Sequence, residues 1–98
     1  MDAVEVFQFK ETDDQGFITE AVAWLVPEPV PGSRHRYKYR FYFGRDGERL
    51  LGYDNERGKG DHRHLGKREF PYDFRDISTL IADFERDKDE WKNKHRER

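Results

Sequence analysis

Apolar residues recur along this chain with a period of two over its first half and a period of three to four near its end. Residues 3–10 alternate, with Val4 and Val6 on one side and Phe7 and Phe9 on the other. They run into Glu11-Thr12-Asp13-Asp14-Gln15-Gly16, whose polar residues and closing glycine predict a hairpin turn. Residues 17–26 are apolar on both faces, with Ile18, Val22, Trp24 and Val26 set against Phe17, Ala21, Ala23 and Leu25, as a central strand requires. Pro27, Pro29, Pro31 and Gly32 then impose a stiff, extended loop. Residues 34–43 give the clearest alternation: His35, Tyr37, Tyr39, Phe41 and Phe43 against Arg34, Arg36, Lys38, Arg40 and Tyr42. One face is aromatic and the other basic. Gly44-Arg45-Asp46-Gly47 has the composition of a tight hairpin, and residues 48–54 supply a fourth strand.

Residues 54–66 are too polar to read as a packing element and are expected to form a loop. Lys67 to Tyr72 is extended because of Pro71. Asp73 is then the expected N-cap, with Tyr72 and Ile77 as a hydrophobic staple, of a helix over about 74–94. Phe74, Ile77, Leu80, Ile81, Phe84 and Trp91 share one helical face. Asp76, Asp83, Glu85, Asp87, Asp89 and Glu90 line the remainder, and Lys92, Lys94, His95, Arg96 and Arg98 gather where the helix dipole favours cations. These elements predict one α+β domain over residues 1–98, a four- to five-stranded antiparallel meander packed on one face by the C-terminal helix. The basic stripe and the central loop fall on the other face. Trp24 and Trp91 are expected inside, as is His35 as a satisfied core histidine.

Charged residues make up 41% of the chain and hydrophobic ones 34%, a balance that by itself suggests disorder. Aromatic residues at 15%, recurring at strand and helix spacing, supply the missing core. The absence of cysteine excludes disulfides and thiolate metal sites and suits a reducing compartment, so a cytoplasmic location is expected. No apolar run approaches the ~20 residues of a membrane span, and no signal peptide is apparent. A net charge of −2 does not announce a nucleic-acid binder, so any such function rests on where the cations stand.

The chemistry concentrates in residues 53–66. His62 and His64, two apart, face the same side of an extended segment, with Arg63 opposite. Two imidazoles can act as general base and general acid, with a cation stabilising a pentacoordinate phosphorane; RNA is cleaved this way through its own 2′-hydroxyl, with no metal or cofactor. Asp54 or Asp61 can orient a histidine, and Tyr53 offers a stacking ring or a proton donor. Arg57, Lys59, Arg63 and Lys67 are candidate phosphate ligands together with Arg36, Lys38 and Arg40 of the stripe. Side chains two apart on a strand stand ~6.6 Å from each other, close to the phosphate spacing of an extended single strand. Gly58 and Gly60 leave backbone N–H groups for an anion-cradling turn. Two rivals stand beside this scheme. His62 and His64 with Asp54 or Asp61 form a donor set for zinc or manganese, opposed by the surrounding cations. Alternatively the stretch is a tight turn with solvated histidines, and the stripe a solvated face paired with Glu20 or Glu48. RNA is the expected partner, bound for cleavage; in the alternative of a non-catalytic module, the same cations hold nucleic acid or an acidic protein partner by occupancy alone.

Three stretches carry a resemblance. They are Val30-Pro31-Gly32-Ser33-Arg34-His35-Arg36-Tyr37-Lys38-Tyr39-Arg40, then Tyr53-Asp54-Asn55-Glu56-Arg57-Gly58-Lys59-Gly60-Asp61-His62-Arg63-His64, and Pro71-Tyr72-Asp73-Phe74 leading into the helix. Together they resemble the TumE-type toxin family of prokaryotic toxin–antitoxin modules, whose members are of similar length. The resemblance implies the toxin half of a two-gene module, with a helix-turn-helix antitoxin encoded beside it. The ribonuclease chemistry is implied by the residues and not by the resemblance.

Overall fold

A computed structural model describes residues 2–96. Six strands, β1 (Val4–Thr12), β2 (Ile18–Leu25), β3 (Tyr37–Arg45), β4 (Glu48–Glu56), β5 (Gly60–Leu65) and β6 (Arg68–Pro71), precede one helix, α1 (Ile77–Lys94). They form a single antiparallel sheet in chain order, the α+β meander that the patterning implies. The strand count is six and not four to five, because residues 54–66 are not a loop. β4 continues to Glu56, turns over Arg57, Gly58 and Lys59, and returns as β5, while residues 68–71 pair as β6. The inward positions of this hairpin are Tyr53, Asn55, Asp61, Arg63 and Leu65. A strand whose inner face is largely polar gives no hydrophobic alternation to read.

The core lies between the sheet and the helix, where Ala21, Ala23, Tyr39, Phe41, Phe43, Leu51 and Tyr53 meet Leu80 and Phe84. Trp91 closes one end, edge-on to Phe17 and Phe43 at 5.5 and 5.9 Å between ring centroids. Its partner in the sequence-based expectation, Trp24, is instead on the helix-free face and 37% exposed. β2 is apolar on both sides, so alternation could not say which side the helix covers. β1 is an exposed edge, and a bulge between Glu5 and Phe7 interrupts its alternation.

The helix begins later than expected. Asp76, not Asp73, is the N-cap, its carboxylate accepting from the Thr79 N–H at 2.6 Å. Residues 72–76 stay out of the helix, which lets Phe74 stack on His35 at 3.8 Å and reach Tyr39 at 5.5 Å. Tyr72 does not staple to Ile77; it sets its ring edge-on to Tyr53 at 4.8 Å and donates its hydroxyl to Asp83 at 2.6 Å. Two of the helix's charged residues are also buried. Lys88 lies over the rings of Phe43 and Phe84. Asp87, 3% exposed, accepts from Arg63 Nε and Nη2 at 2.8 and 3.0 Å and from the Tyr53 hydroxyl. Lys92 of the basic end pairs with Asp13 at 3.2 Å. Arg98, counted in that end, lies outside the described residues. No helix among the described residues is long and apolar enough to cross a membrane.

The loop between β2 and β3 docks on the β4–β5 turn through bare backbone. Gly32, at φ +99°, leaves no room for a side chain: a Cβ there would come within 2.7 Å of the Gly60 nitrogen. The Gly58 N–H donates to the Pro31 carbonyl at 2.6 Å.

Two stability predictions follow from these contacts. Arg63→Ala strands a buried carboxylate and is expected to cost about 3 kcal/mol in urea denaturation, whereas Arg63→Met with Asp87→Leu together costs less than that single change. Asp76→Ala lowers the melting temperature at pH 7 and Asp73→Ala does not. The Thr79 N–H holds the Asp76 carboxyl below its ordinary value. Its stabilising effect is therefore complete above the unfolded value near 3.8 and is lost as pH falls through the lower folded value, so the gap between Asp76→Ala and the parent narrows in acid.

Candidate active site on the helix-free face

Residues paired across strands point to the same side of a sheet, so register alone defines the face opposite the helix. One file reads Val22, Arg40, Asp54, His62, Pro71, and the next reads Glu20, Tyr42, Gly52, His64, Glu69. Strands from three hairpins thus bring Arg40, Tyr42, Asp54, His62, His64 and Glu69 into two adjacent ranks. Gly52 contributes no side chain and leaves a gap at the centre. Arg49 lies across it; a Cβ on Gly52 would meet Arg49 Cδ at 3.2 Å and His64 Cδ2 at 3.9 Å.

The two histidines share a face, as their spacing requires, but they are in different chemical states. Arg49 has only protons to give, so its Nη2, 3.1 Å from His64 Nδ1, makes that nitrogen an acceptor. His64 therefore carries its proton on Nε2 and donates it to Asp54 Oδ1 at 3.1 Å. Both nitrogens of His64 are committed, and the ring is buried. His62 donates Nδ1–H to the Gly60 carbonyl at 3.1 Å. Its Nε2 faces Glu69 Oε1 at 3.6 Å, longer than a hydrogen bond, and stays able to take and return a proton.

Asp54 thus orients His64, as one of the two sequence alternatives has it. Asp61 orients neither site histidine. It points to the inner side and accepts from Ser33 Oγ at 2.6 Å, His35 Nε2 at 2.6 Å and the Tyr39 hydroxyl at 2.7 Å. His35 Nδ1 in turn accepts from the Tyr37 N–H at 3.1 Å, so this core histidine is fully satisfied, as expected. Ser33 and His35 both donate to the same carboxylate, which makes the trio a clamp on the proline-rich loop and not a nucleophile relay. Burial, and then the Asp61 carboxylate, push the Tyr39 hydroxyl well above its ordinary value.

Tyr53 is corrected most sharply. Its ring is 1% exposed and its hydroxyl is raised by burial and by Asp87, so it offers neither a stacking surface nor a labile proton. Arg63 is held on the helix side by the bond to Asp87, which raises its affinity for its proton, and it cannot reach a phosphate beside the histidines. The Gly58 N–H is consumed by Pro31, so the β4–β5 turn is not an open anion cradle. Arg36, Lys38, Arg40, Arg57, Lys59 and Lys67 are exposed. Lys59 pairs with Glu56 at 3.4 Å. Lys38 and Arg40 stand on the helix-free face beside the site, and Arg36 precedes β3. Arg57 and Lys67 sit in the turns at opposite ends of β5. No cluster of three or more His, Asp or Glu among the described residues is placed to hold a metal ion. The set of His62, His64 and Asp54 does not converge, because Asp54 and Arg49 take both nitrogens of His64.

Tyr42, Arg49 and Glu69 belong to this face although the polar stretch did not point to them. Tyr42 continues the even-numbered stripe, so its signal was present. Arg49 reaches the site only because the β3–β4 register shifts between Phe43 and Gly44, and Glu69 only because β6 pairs with β5.

Residues 1–92 match a family model described as Toxin TumE. No curated protein and no solved structure matches the chain.

The hydrogen bonds above predict opposite tautomers for the two site histidines. Imidazole ¹⁵N correlation spectra of the neutral rings are expected to place the proton on Nδ1 in His62 and on Nε2 in His64 and His35. Arg49→Ala is expected to remove the restriction from His64 alone. The same tautomer at positions 62 and 64 in the parent protein contradicts the assignment.

Proposed function

This chain belongs to the TumE toxin family, and on that premise we propose that it is an endoribonuclease acting in the cytoplasm, cleaving RNA without a metal through the substrate's own 2′-hydroxyl. Family membership carries a toxin role and an antitoxin partner. We propose that the antitoxin is a helix-turn-helix protein encoded alongside.

One observation carries the ribonuclease reading: an imidazole with an uncommitted Nε2, that of His62, shares a sheet face with Arg40 and Arg49. In this scheme His62 Nε2 removes the 2′-hydroxyl proton as the oxygen attacks phosphorus, and the Glu69 carboxylate stabilises the imidazolium that forms. Arg40, one strand beyond Asp54 in the same file, and the outer edge of the Arg49 guanidinium meet the charge that builds on the phosphorane. His64 is a positioning residue. A ring that already accepts from a guanidinium is a poor proton donor, so it serves by fixing Arg49 with Asp54 behind it. The Tyr42 hydroxyl is turned along β3 onto Gly44, away from His62, so the departing 5′-oxygen takes its proton from solvent water, and the hydroxide left behind is neutralised by the proton that His62 has taken up. Mounting these groups on paired strands limits their freedom, which favours general acid–base catalysis over mere binding.

The test is His62→Ala. Expression of this variant is expected to spare growth, and the purified protein to cleave RNA about 10²–10⁴-fold more slowly. Its stability is expected to stay within about 0.5 kcal/mol of the parent. Native protein is expected to leave 2′,3′-cyclic phosphate ends in the presence of EDTA. Full toxicity from folded His62→Ala overturns the site, and activity lost in EDTA but restored by zinc or manganese overturns the metal-free chemistry. Bound but uncleaved RNA favours a toxin acting by occupancy, for which the exposed cations Lys38 and Arg40 are the supporting observation.

A further inference from the structure

Trp24 is the feature that the proposed chemistry leaves unused. Trp91 is engaged by Phe17 and Phe43 and stacks on His95 at 3.9 Å, whereas Trp24 pairs with no aromatic ring among the described residues. It is 37% exposed near the end of β2, on the same face as His62. Its cross-strand neighbours are Lys38 on β3 and Glu5 on β1. The ring borders a depression of about 270 Å³ whose other walls include Val22, Lys38, Arg40, Asp54 and Glu56. Lys38 also lines a second depression, about 490 Å³, beneath the proline-rich loop, with Arg57 on its far side.

The charges around the ring are not balanced. Asp54 is bonded to His64, Glu56 to Lys59, and Glu20 lies 4.0 Å from Lys10. Lys38 and Arg40 have no carboxylate partner within 4.0 Å among the described residues. Glu5, on the edge strand, is the one carboxylate beside the ring without a cation. An exposed indole flanked on one side by two uncompensated cations is suited to a ligand that alternates flat apolar rings with negative charges.

We propose that Trp24 and Lys38 form a subsite for single-stranded nucleic acid, which stacks an unpaired base on the indole and takes the adjoining phosphate on Lys38, with Arg40 standing between this subsite and His62. Stacking needs a base drawn out of a helix, so a duplex does not satisfy the subsite. Its place relative to the reaction rests on the ribonuclease reading. Trp24 stands three strands from His62, roughly 14 Å at the ~4.8 Å spacing of neighbouring strands, and one rank away along them. A base held there lies a short run of nucleotides from the phosphate attacked at His62, so the subsite contributes to how a single strand is aligned for cutting.

The experiment uses a fluorescently labelled oligodeoxythymidylate, which lacks the 2′-hydroxyl and so reports binding whether or not the protein cleaves RNA. Anisotropy titration is expected to show Trp24→Ala weakening binding at least about fivefold, with Trp24→Phe retaining most of it. Lys38→Glu is expected to weaken binding and to flatten its salt dependence. An oligomer with abasic sites throughout is expected to bind the parent and Trp24→Ala equally. Because Trp24 is on the surface, Trp24→Ala should melt with the parent. In the Trp91→Phe background, stacking is expected to quench the remaining indole. If Trp91→Phe does not fold, the anisotropy series decides the matter alone. Equal binding by Trp24→Ala and parent overturns the subsite, as does polyglutamate competing as well as the oligonucleotide, which points to an acidic peptide instead. A Trp24-dependent affinity in a protein that cleaves no RNA leaves the subsite standing and removes only the ribonuclease.

Discussion

Asp87 carries a charge at 3% exposure, and its burial is tolerable only because Arg63 meets both of its oxygens and Tyr53 donates to one. A buried carboxylate with so specific a set of donors sets the register of the helix over β4 and β5. It also determines which side of β5 faces inward. Side chains alternate along a strand, so once Arg63 is drawn under the helix, His62 and His64 must stand on the opposite face. The geometry of the candidate site is therefore a consequence of an ion pair that takes no part in it.

Asp61 plays the same role one turn away. It gathers Ser33, His35 and Tyr39 and thereby ties the proline-rich loop to the hairpin that carries the histidines. Asn55 extends the clamp, its amide nitrogen reaching the Tyr37 carbonyl at 2.7 Å and its oxygen accepting from the Tyr39 N–H at 2.9 Å. In each case a phenol hydroxyl is spent on a carboxylate: buried Tyr39 on Asp61, buried Tyr53 on Asp87 and half-buried Tyr72 on Asp83. Burial, followed by the neighbouring negative charge, raises all three phenols, so they are fixed as donors and removed from acid–base chemistry near neutral pH.

The two faces consequently divide the work. The helix side holds the aromatic core and the buried polar clamps. The helix-free side keeps Arg40, Tyr42, His62 and Trp24 on a floor made rigid by hydrogen-bonded neighbours. Gly52 matters here through what it lacks, since a methyl group at that point would press on the Arg49 side chain and on the Phe41 carbonyl. An open sheet face can carry a candidate site without a deep pocket.

The α+β class, the meander, the C-terminal helix and the inward positions of Leu80, Phe84 and Trp91 were legible because each rests on periodic apolar residues or on local turn chemistry. The polar hairpin at 54–66, the shift of the cap to Asp76, the inward roles of Asp61, Arg63 and Asp87 and the outward place of Trp24 were not. Each depends on a partner distant in the chain: Arg63 reads as a surface cation until Asp87 arrives, and Phe74 reads as helical until His35 offers it a ring to stack on. Local sequence determines the period of a strand, but which side of it is buried is a property of what packs against it. For β5, where the inner face is polar, only the tertiary pairing of Arg63 with Asp87 could make that choice, and with it decide that both histidines face away from the helix.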